Sequence, residues 1–232
     1  MNKAFAGAVV GLAFGAVSAV SAACDGVFPA CSELDRSVGG GVFFAGDFGG
    51  GFFGVSREEN GKVVSETVPW SGGGVHLFFD ASYAEFSFDL ALGSGTPKTD
   101  GKSVNTDIGI SFIGLGVGLL LKYPFELTDD VSLFPAFGVD YAFMLYSEAK
   151  SSVNGNDVYR KIEKPDRFGA LWFKFGGGFD VALAGAMFLR PELLYGIRLA
   201  NKYESDLAED NDLVNPALGH GLTVKVGLGY KI

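Results

Sequence analysis

From Arg36 onward, apolar side chains recur at every second position over one stretch of the chain after another. The last stretch is the clearest. Leu222, Val224, Val226, Leu228, Tyr230 and Ile232 fall on one face, and Thr223, Lys225, Gly227, Gly229 and Lys231 on the other. A period of two belongs to a strand, whose successive side chains point to opposite faces. The pattern predicts eight strands, over 38–55, 73–80, 83–93, 107–125, 131–147, 168–181, 186–201 and 219–232. The run Ile108 to Leu121 is the most apolar, but it is too short for a spanning helix. Gly114, Gly116 and Gly118 also keep the strand period within it.

The connections between these strands alternate in length. Four are long and polar: Arg57 to Ser71, Ser94 to Thr106, Glu148 to Arg167, and Lys202 to Leu218. Three are short, around Ala81, at Glu126 to Asp130, and at Ala182 to Gly185. An even number of strands near ten residues, with long loops at one end and tight turns at the other, describes a transmembrane barrel. The expected fold is therefore all-β, an eight-stranded antiparallel up-and-down barrel over 38–232, with both chain ends on the periplasmic side. A soluble two-sheet sandwich is the competing architecture.

The faces differ in charge. Val131, Leu133, Pro135, Phe137, Val139, Tyr141, Phe143 and Leu145 share one face, as do Leu189, Pro191, Leu193, Tyr195, Ile197 and Leu199. The opposite faces carry Glu85, Asp89, Lys122, Asp140, Lys174, Asp180, Arg190, Glu192, Arg198 and Lys225. In a membrane barrel these ionised groups line the interior, where opposite charges pair. Asp140, Lys174, Asp180, Arg190, Glu192 and Lys225 are the expected lumen network. Tyr123, Phe125 and Tyr230 at one end, with Phe143 and Tyr146 at the other, suit interfacial girdles. A hairpin turning near Ala184 would set Gly178 opposite Arg190, Gly176 opposite Glu192 and Trp172 opposite Gly196. One turning near Thr128 would set Gly116 opposite Asp140 and Gly118 opposite Gly138. One turning after Ala81 would set Gly74 opposite Asp89 and His76 opposite Ser87.

The start of the chain reads differently. Lys3, an apolar run from Ala4 to Val17 and small residues from Ser18 to Ala23 form a secretory signal peptide, residues 1–23. A periplasmic segment, 24–37, then leads into the barrel. It holds both cysteines, Cys24 and Cys31, and three readings of them stand: a disulfide loop, lipidation of Cys24, or free thiols.

Composition narrows the classes of activity. Gly 35 and Phe 22 are the outliers, and together they favour strands over helices. A net charge of -9 with no basic stripe excludes a nucleic-acid partner. Gly114-Leu115-Gly116-Val117-Gly118 lies inside a strand with no helix after it, so it is no phosphate cradle. The two histidines, His76 and His220, are expected at the outer ends of their strands. His76 with Ser87 and Asp89 is the best constellation for nucleophilic work, but a polar lumen group is the simpler reading. No metal-ligand spacing, catalytic residue or cofactor is expected. Glu204, Asp206, Glu209, Asp210 and Asp212 make the last loop acidic, whereas Arg160, Lys161, Lys164 and Arg167 could meet an anionic partner.

Lys225-Val226-Gly227-Leu228-Gly229-Tyr230-Lys231-Ile232 resembles the C-terminal insertion signal of bacterial outer-membrane proteins, with Ile232 where Phe is commonest. Phe188 to Gly196 is similar to the penultimate strand of small porin-like barrels. Together, residues 38–232 resemble the eight-stranded outer-membrane proteins of the OmpA/OmpX and OmpW types. That resemblance implies outer-membrane lipid as solvent and the barrel-assembly machinery as a partner, read through Gly227, Tyr230 and Ile232. Some eight-stranded barrels are enzymes of lipid acyl transfer, but the simpler reading of His76, Ser87 and Asp89 leads to the expectation that this protein is not an enzyme. Two roles follow: a closed barrel displaying four loops for adhesion, partner binding or envelope integrity, or an OmpW-like narrow channel for small apolar solutes. Mixed charge in the lumen favours the first, and the many inward glycines, by leaving space, the second.

Overall fold

The computed structural model describes residues 36–232, apart from 49–53, 60–61, 82, 104–107, 154–155, 164–167, 202–213 and 217. The signal-peptide segment and Cys24 and Cys31 lie outside the described residues, as do the acidic residues from Glu204 to Asp212.

Eight long strands form the scaffold: β1 (Arg36–Asp47), β2 (Trp70–Ala81), β3 (Ala84–Gly95), β4 (Gly109–Lys122), β5 (Val131–Val153), β6 (Ala170–Ala182), β7 (Met187–Asn201) and β8 (Gly219–Lys231). Each pairs antiparallel with the next, and β8 pairs with β1 from Ser37↔Lys231 to Asp47↔Gly221, so the sheet closes on itself. A sandwich has two sheets with free edges. This is a closed barrel.

Following hydrogen-bonded partners round the barrel gives its stagger. From Arg190 the path runs through Gly227, Gly41, His76, Asp89, Gly116, Ala142 and Ala170. It returns to β7 at Asn201, eleven positions on, one of them the bulged Leu199. A stagger of this size tilts the strands about 35–45° from the axis, leaving an interior that side chains just fill. Residues far apart along the ladders therefore meet across the lumen.

The two faces separate by polarity. Val42, Phe44, Leu77, Phe88, Leu92, Phe137, Leu193 and Leu228 point outward and stay exposed. Asp80, Glu85, Asp89, Lys122, Asp140, Arg190, Glu192 and Lys225 are buried inside. An apolar band around a charged interior inverts the soluble plan and is stable only where the surroundings are apolar too. At the short-turn end Tyr123 stacks on Tyr83 at 5.7 Å between ring centroids and meets Phe125 at 4.9 Å. At the other end Phe143 and Tyr146 both face out, although their numbering differs in parity. A bulge between Met144 and Tyr146 absorbs Leu145, and beyond it Ser147 rather than an even-numbered residue points inward.

Several expectations need correction. The first strand ends at Asp47, where it pairs with both Gly221 and Trp70, and does not run to 55. The fourth ends at Lys122, and Phe125–Thr128 is a separate short strand against the start of β5. The hairpin registers are each two residues from those expected. Gly178 faces Glu192, Gly176 faces Leu194, and Trp172 faces Arg198. Gly118 faces Asp140 and Gly116 faces Ala142. His76 faces Asp89 and Gly74 faces Ala91. The reason is local: each reversal sits one residue further along. In the β6–β7 turn Gly185 takes φ 60, a conformation glycine adopts without a side-chain penalty.

The long connections are not featureless. Gly54–Glu59 and Lys62–Thr67 form a hairpin in the β1–β2 connection. Val214–Pro216, before β8, pairs with its first strand, and Lys98–Thr99, after β3, pairs with its second. With Lys102–Ser103 these segments make a second sheet of five strands. The β5–β6 connection behaves otherwise, since Asn156–Lys161 folds back on the end of β5 itself.

Candidate functional site

The lumen is stacked in layers. Nearest the short turns, Arg190 of β7 donates from Nε and Nη2 to the two carboxylate oxygens of Asp180 on β6, each at 2.6 Å. Its Nη1 lies 2.7 Å from Asp80 Oδ2 on β2 and 3.0 Å from Glu85 Oε2 on β3. Lys122 of β4 donates to Asp80 Oδ1 and lies 3.6 Å from Glu85 Oε2. Ser37 of β1 donates to the other oxygen of Asp80 at 2.7 Å. The guanidinium carbon stands 4.5 Å from the ring centre of Phe78, 4.9 Å from Phe188 and 5.1 Å from Phe134, the last on β5. Seven of the eight strands thus contribute to one floor.

A buried ion costs several kcal/mol to desolvate unless its hydrogen bonds are filled and opposite charge is close. Here a fork of donors matched to a carboxylate, two further acids and three ring faces meet that requirement for Arg190. The middle layer is less complete. Lys225 Nζ reaches Asp89 at 3.1 Å, and Lys174 Nζ reaches Asp140 at 3.3 Å. Glu192 is the cross-strand neighbour of Lys225, yet neither of its carboxylate oxygens has a hydrogen-bond partner. His76 is in the same condition at both ring nitrogens. It lies mid-strand and stacks on Phe78 at 5.6 Å, so it is not at the outer end of β2, and its cross-strand partner is Asp89 rather than Ser87. His220 lies on the outward side, where its Nδ1 is 2.7 Å from the hydroxyl of Tyr195.

Inward glycines do not leave an open path through these layers. A Cβ added to Gly229 would lie 2.1 Å from the Phe188 ring, and one on Gly39 would lie 2.2 Å from Phe78. Trp172 likewise covers Gly196, at 3.2 Å. These three glycines make room for rings, as tight packing in a narrow barrel requires.

Above the middle layer, toward the long connections, a cavity of about 100 Å³ remains. Phe43, Trp70, Phe112, Met144, Phe168 and Trp172 line its walls, and Asp89, Asp140 and Lys174 form its base. Trp70 meets Phe112 edge-on at 5.2 Å, and Val68, only 2% exposed, packs beside them.

Expected lumen residues are therefore distributed over two layers: Asp180 and Arg190 in the floor; Asp140, Lys174, Glu192 and Lys225 above it. Sequence reasoning missed Asp80 and the three rings beneath Arg190. The signal for Asp80 was present, since it follows His76 and Phe78 at the same period of two. In the C-terminal stretch, Gly227 faces the lumen beside His76 Nε2, where a Cβ would sit at 3.1 Å. Tyr230 and Ile232 point outward, and the Ile232 amide donates to the carbonyl of Arg36 at 2.8 Å.

The chain is similar to several solved outer-membrane barrels. The outer membrane protein OprG from Pseudomonas aeruginosa shares 14% identity over 86% of this chain and 96% of its own, with a TM-score of 0.45. A major outer membrane protein from Thermus thermophilus shares 13% over 85% and 99%, with a TM-score of 0.43. Ail, the attachment invasion locus protein of Yersinia pestis, shares 14% over 86% and 99%, with a TM-score of 0.40. No family model and no curated protein matches the sequence.

Proposed function

We propose that the chain is an integral protein of a bacterial outer membrane whose closed barrel serves as a rigid stand for surface loops. The observation that carries this reading is the second sheet. Segments from the β1–β2, β3–β4 and β7–β8 connections are hydrogen-bonded into one unit beyond the apolar band. Ordering loops into a shared surface serves recognition, because residues that bind partners concentrate on loops held by a stable scaffold. The class of role is adhesion, partner binding or envelope integrity. Arg36, where the described residues begin, and Ile232 lie together at the short-turn side, which this reading makes periplasmic, with the C-terminal strand recognised there by the barrel-assembly machinery.

The floor around Arg190 argues against free passage of solutes. Refolded mature protein in lipid vesicles should therefore retain entrapped small polar and apolar solutes as well as empty vesicles do, with folding verified by heat-modifiable gel mobility. Efflux above that background would replace display by a narrow channel. On intact cells, trypsin should cut within the long connections and spare the strands. Cleavage seen only after the outer membrane is permeabilised would overturn the orientation.

A further inference from the structure

We propose that the arm of the β5–β6 connection is a self-recognition edge, whose outer strand, Asn156–Lys161, pairs with the same strand of a second copy of this chain in a facing membrane. The case starts from the backbone. Asn156–Lys161 pairs with the end of β5 along one edge, and no described residue pairs with the other. The Ile162 amide donates to the Ser147 carbonyl at 2.9 Å, and the register from Glu148↔Lys161 to Val153↔Asn156 runs without a bulge. Hydrogen-bonded pairs alternate along an antiparallel ladder. Val158 and Arg160 therefore bond to β5, while Asp157, Tyr159 and Lys161 turn their N–H and C=O groups to the open edge. Such an edge is a template for a further strand.

The side chains say which strand fits. Asp157 and Lys161 stand two positions either side of Tyr159. An antiparallel copy centred on Tyr159 sets Asp157 against Lys161 of the second copy, Lys161 against its Asp157, and the two Tyr159 rings against each other. All three open residues then exchange both backbone bonds, which no other register allows. Opposite charges and aromatic pairs directly across a ladder stabilise it, and like charges oppose it. A strand complementary to its own reverse selects a second copy as partner. Lys150 Nζ lies 2.7 Å from Asp157 Oδ2 and 5.9 Å from the Tyr159 ring centre, which holds the arm ready. That ion pair is 41% exposed at the lysine and 46% at the acid, so Asp157 still accepts from a second cation. Val158 and Tyr159 are exposed too, and the pairing would cover them.

Symmetry places the second copy. Glu148 to Lys150 still pair with β4, so the arm continues the barrel wall. Two antiparallel neighbours in one sheet are related by a two-fold axis perpendicular to that sheet. The normal of a barrel wall lies in the plane of the membrane, and half a turn about it inverts the membrane. Two barrels joined by these strands therefore point at each other from facing membranes. The inference rests on the display reading for the outward placement of the arm, and it gives adhesion a partner, another membrane carrying the same chain.

Refolded mature protein would be inserted one barrel per lipid nanodisc, with folding verified by heat-modifiable gel mobility. Pairing of discs is then read by sedimentation and by energy transfer between two dyes. Both faces of a disc are open, so pairing does not depend on which side faces out of the cell, and trypsin cleavage of intact cells tests that orientation separately. Wild-type discs should pair in a concentration-dependent way. Asp157→Lys should weaken pairing about tenfold, because lysine then faces lysine, and Lys161→Asp should do the same with acid facing acid. Discs of one variant mixed with discs of the other should regain wild-type pairing, since every lysine again meets an acid. Tyr159→Pro removes an open N–H and none that bonds to β5, and should abolish pairing. Wild-type discs that stay single at about 100 μM, where even a weak complex forms, would overturn the proposal. So would either charge variant pairing as well as wild type, or a mixture no better than its two components.

Discussion

Arg190 and Asp180 meet as two parallel hydrogen bonds of 2.6 Å across the β6–β7 pair, with Asp80 and Glu85 closing on the same guanidinium from the opposite wall. One side chain thereby ties adjacent strands and bridges the barrel's width. Covalent continuity could not bring β2, β3 and β7 together, since Glu85 and Arg190 lie 105 positions apart in the chain.

Removing that hub should be felt in both stability and permeability. Arg190→Ala leaves three acids facing one lysine in a dry interior, and stranding a buried charge costs about 3–5 kcal/mol. Urea unfolding from vesicles should shift by that amount, and solute efflux should rise above the wild-type level. Arg190→Lys restores the charge without the fork and should fall between the two. Wild-type stability together with wild-type tightness in Arg190→Ala would remove Arg190 from the centre of the floor.

Glu192 should behave in the opposite way. Both of its oxygens lack hydrogen-bond partners, so Glu192→Gln gives up little pairing. The amide variant should stay within about 1 kcal/mol of wild type, the range of a typical neutral hydrogen bond. Lys225→Met strands Asp89 instead and should cost about 3–5 kcal/mol. Equal losses in the two variants, measured by the same unfolding assay, would mean Glu192 is as firmly paired as Asp89.

The glycine–ring contacts make a sharper steric prediction. Phe188 is held between Arg190 and Phe78, 6.2 Å from the latter, so it cannot swing aside freely. Gly229→Ala places a methyl 2.1 Å from that ring and should destabilise by about 1–3 kcal/mol, as overpacking does. Phe188→Leu in the same chain should recover much of the loss. A double-mutant cycle with no coupling would show that the two positions do not press on each other.

The loop sheet can be loosened without touching the barrel. Asp100 takes φ 50, its carboxylate accepts the Ser65 amide at 2.9 Å, and its own amide donates to the Ser65 carbonyl at 2.8 Å. Asp100→Ala keeps the strained backbone and loses the side-chain bond. Trypsin should then cut at Lys98 or Lys102 several-fold faster, on the order of the 1 kcal/mol that such a bond contributes, while barrel melting is unchanged. Unaltered cleavage would show that the segment is held by other contacts.

How much of this was legible depends on the range of the interaction. Every register expected from the hairpins was two residues out, yet no side chain changed face. A slip of two preserves the alternation that a slip of one would invert. Thus Lys174 and Asp140 could be placed inside while their true opposites, Gly196 and Trp172, could not. The bulge at Leu145 was hidden because a single unpaired residue leaves no mark in an apolar run. The loop sheet was hidden for a different reason. Val55 pairs with Glu66 by a local hairpin but with Pro216 through the closure of the whole barrel, which no periodicity announces. Gly229 and Gly39 were read as empty space because the rings that fill them, Phe188 and Phe78, come from other strands.

The shared loop sheet also limits how such a surface can change over time. Three connections that are each other's hydrogen-bond partners cannot be lengthened or recut one by one, because a new register in one demands an answering change in the next. They would drift as a block, under the joint constraint of their pairings. The β5–β6 arm, which pairs only with its own strand, is exempt. It can grow or shrink two residues at a time beside a fixed plate, and variation among relatives of this chain should gather there first.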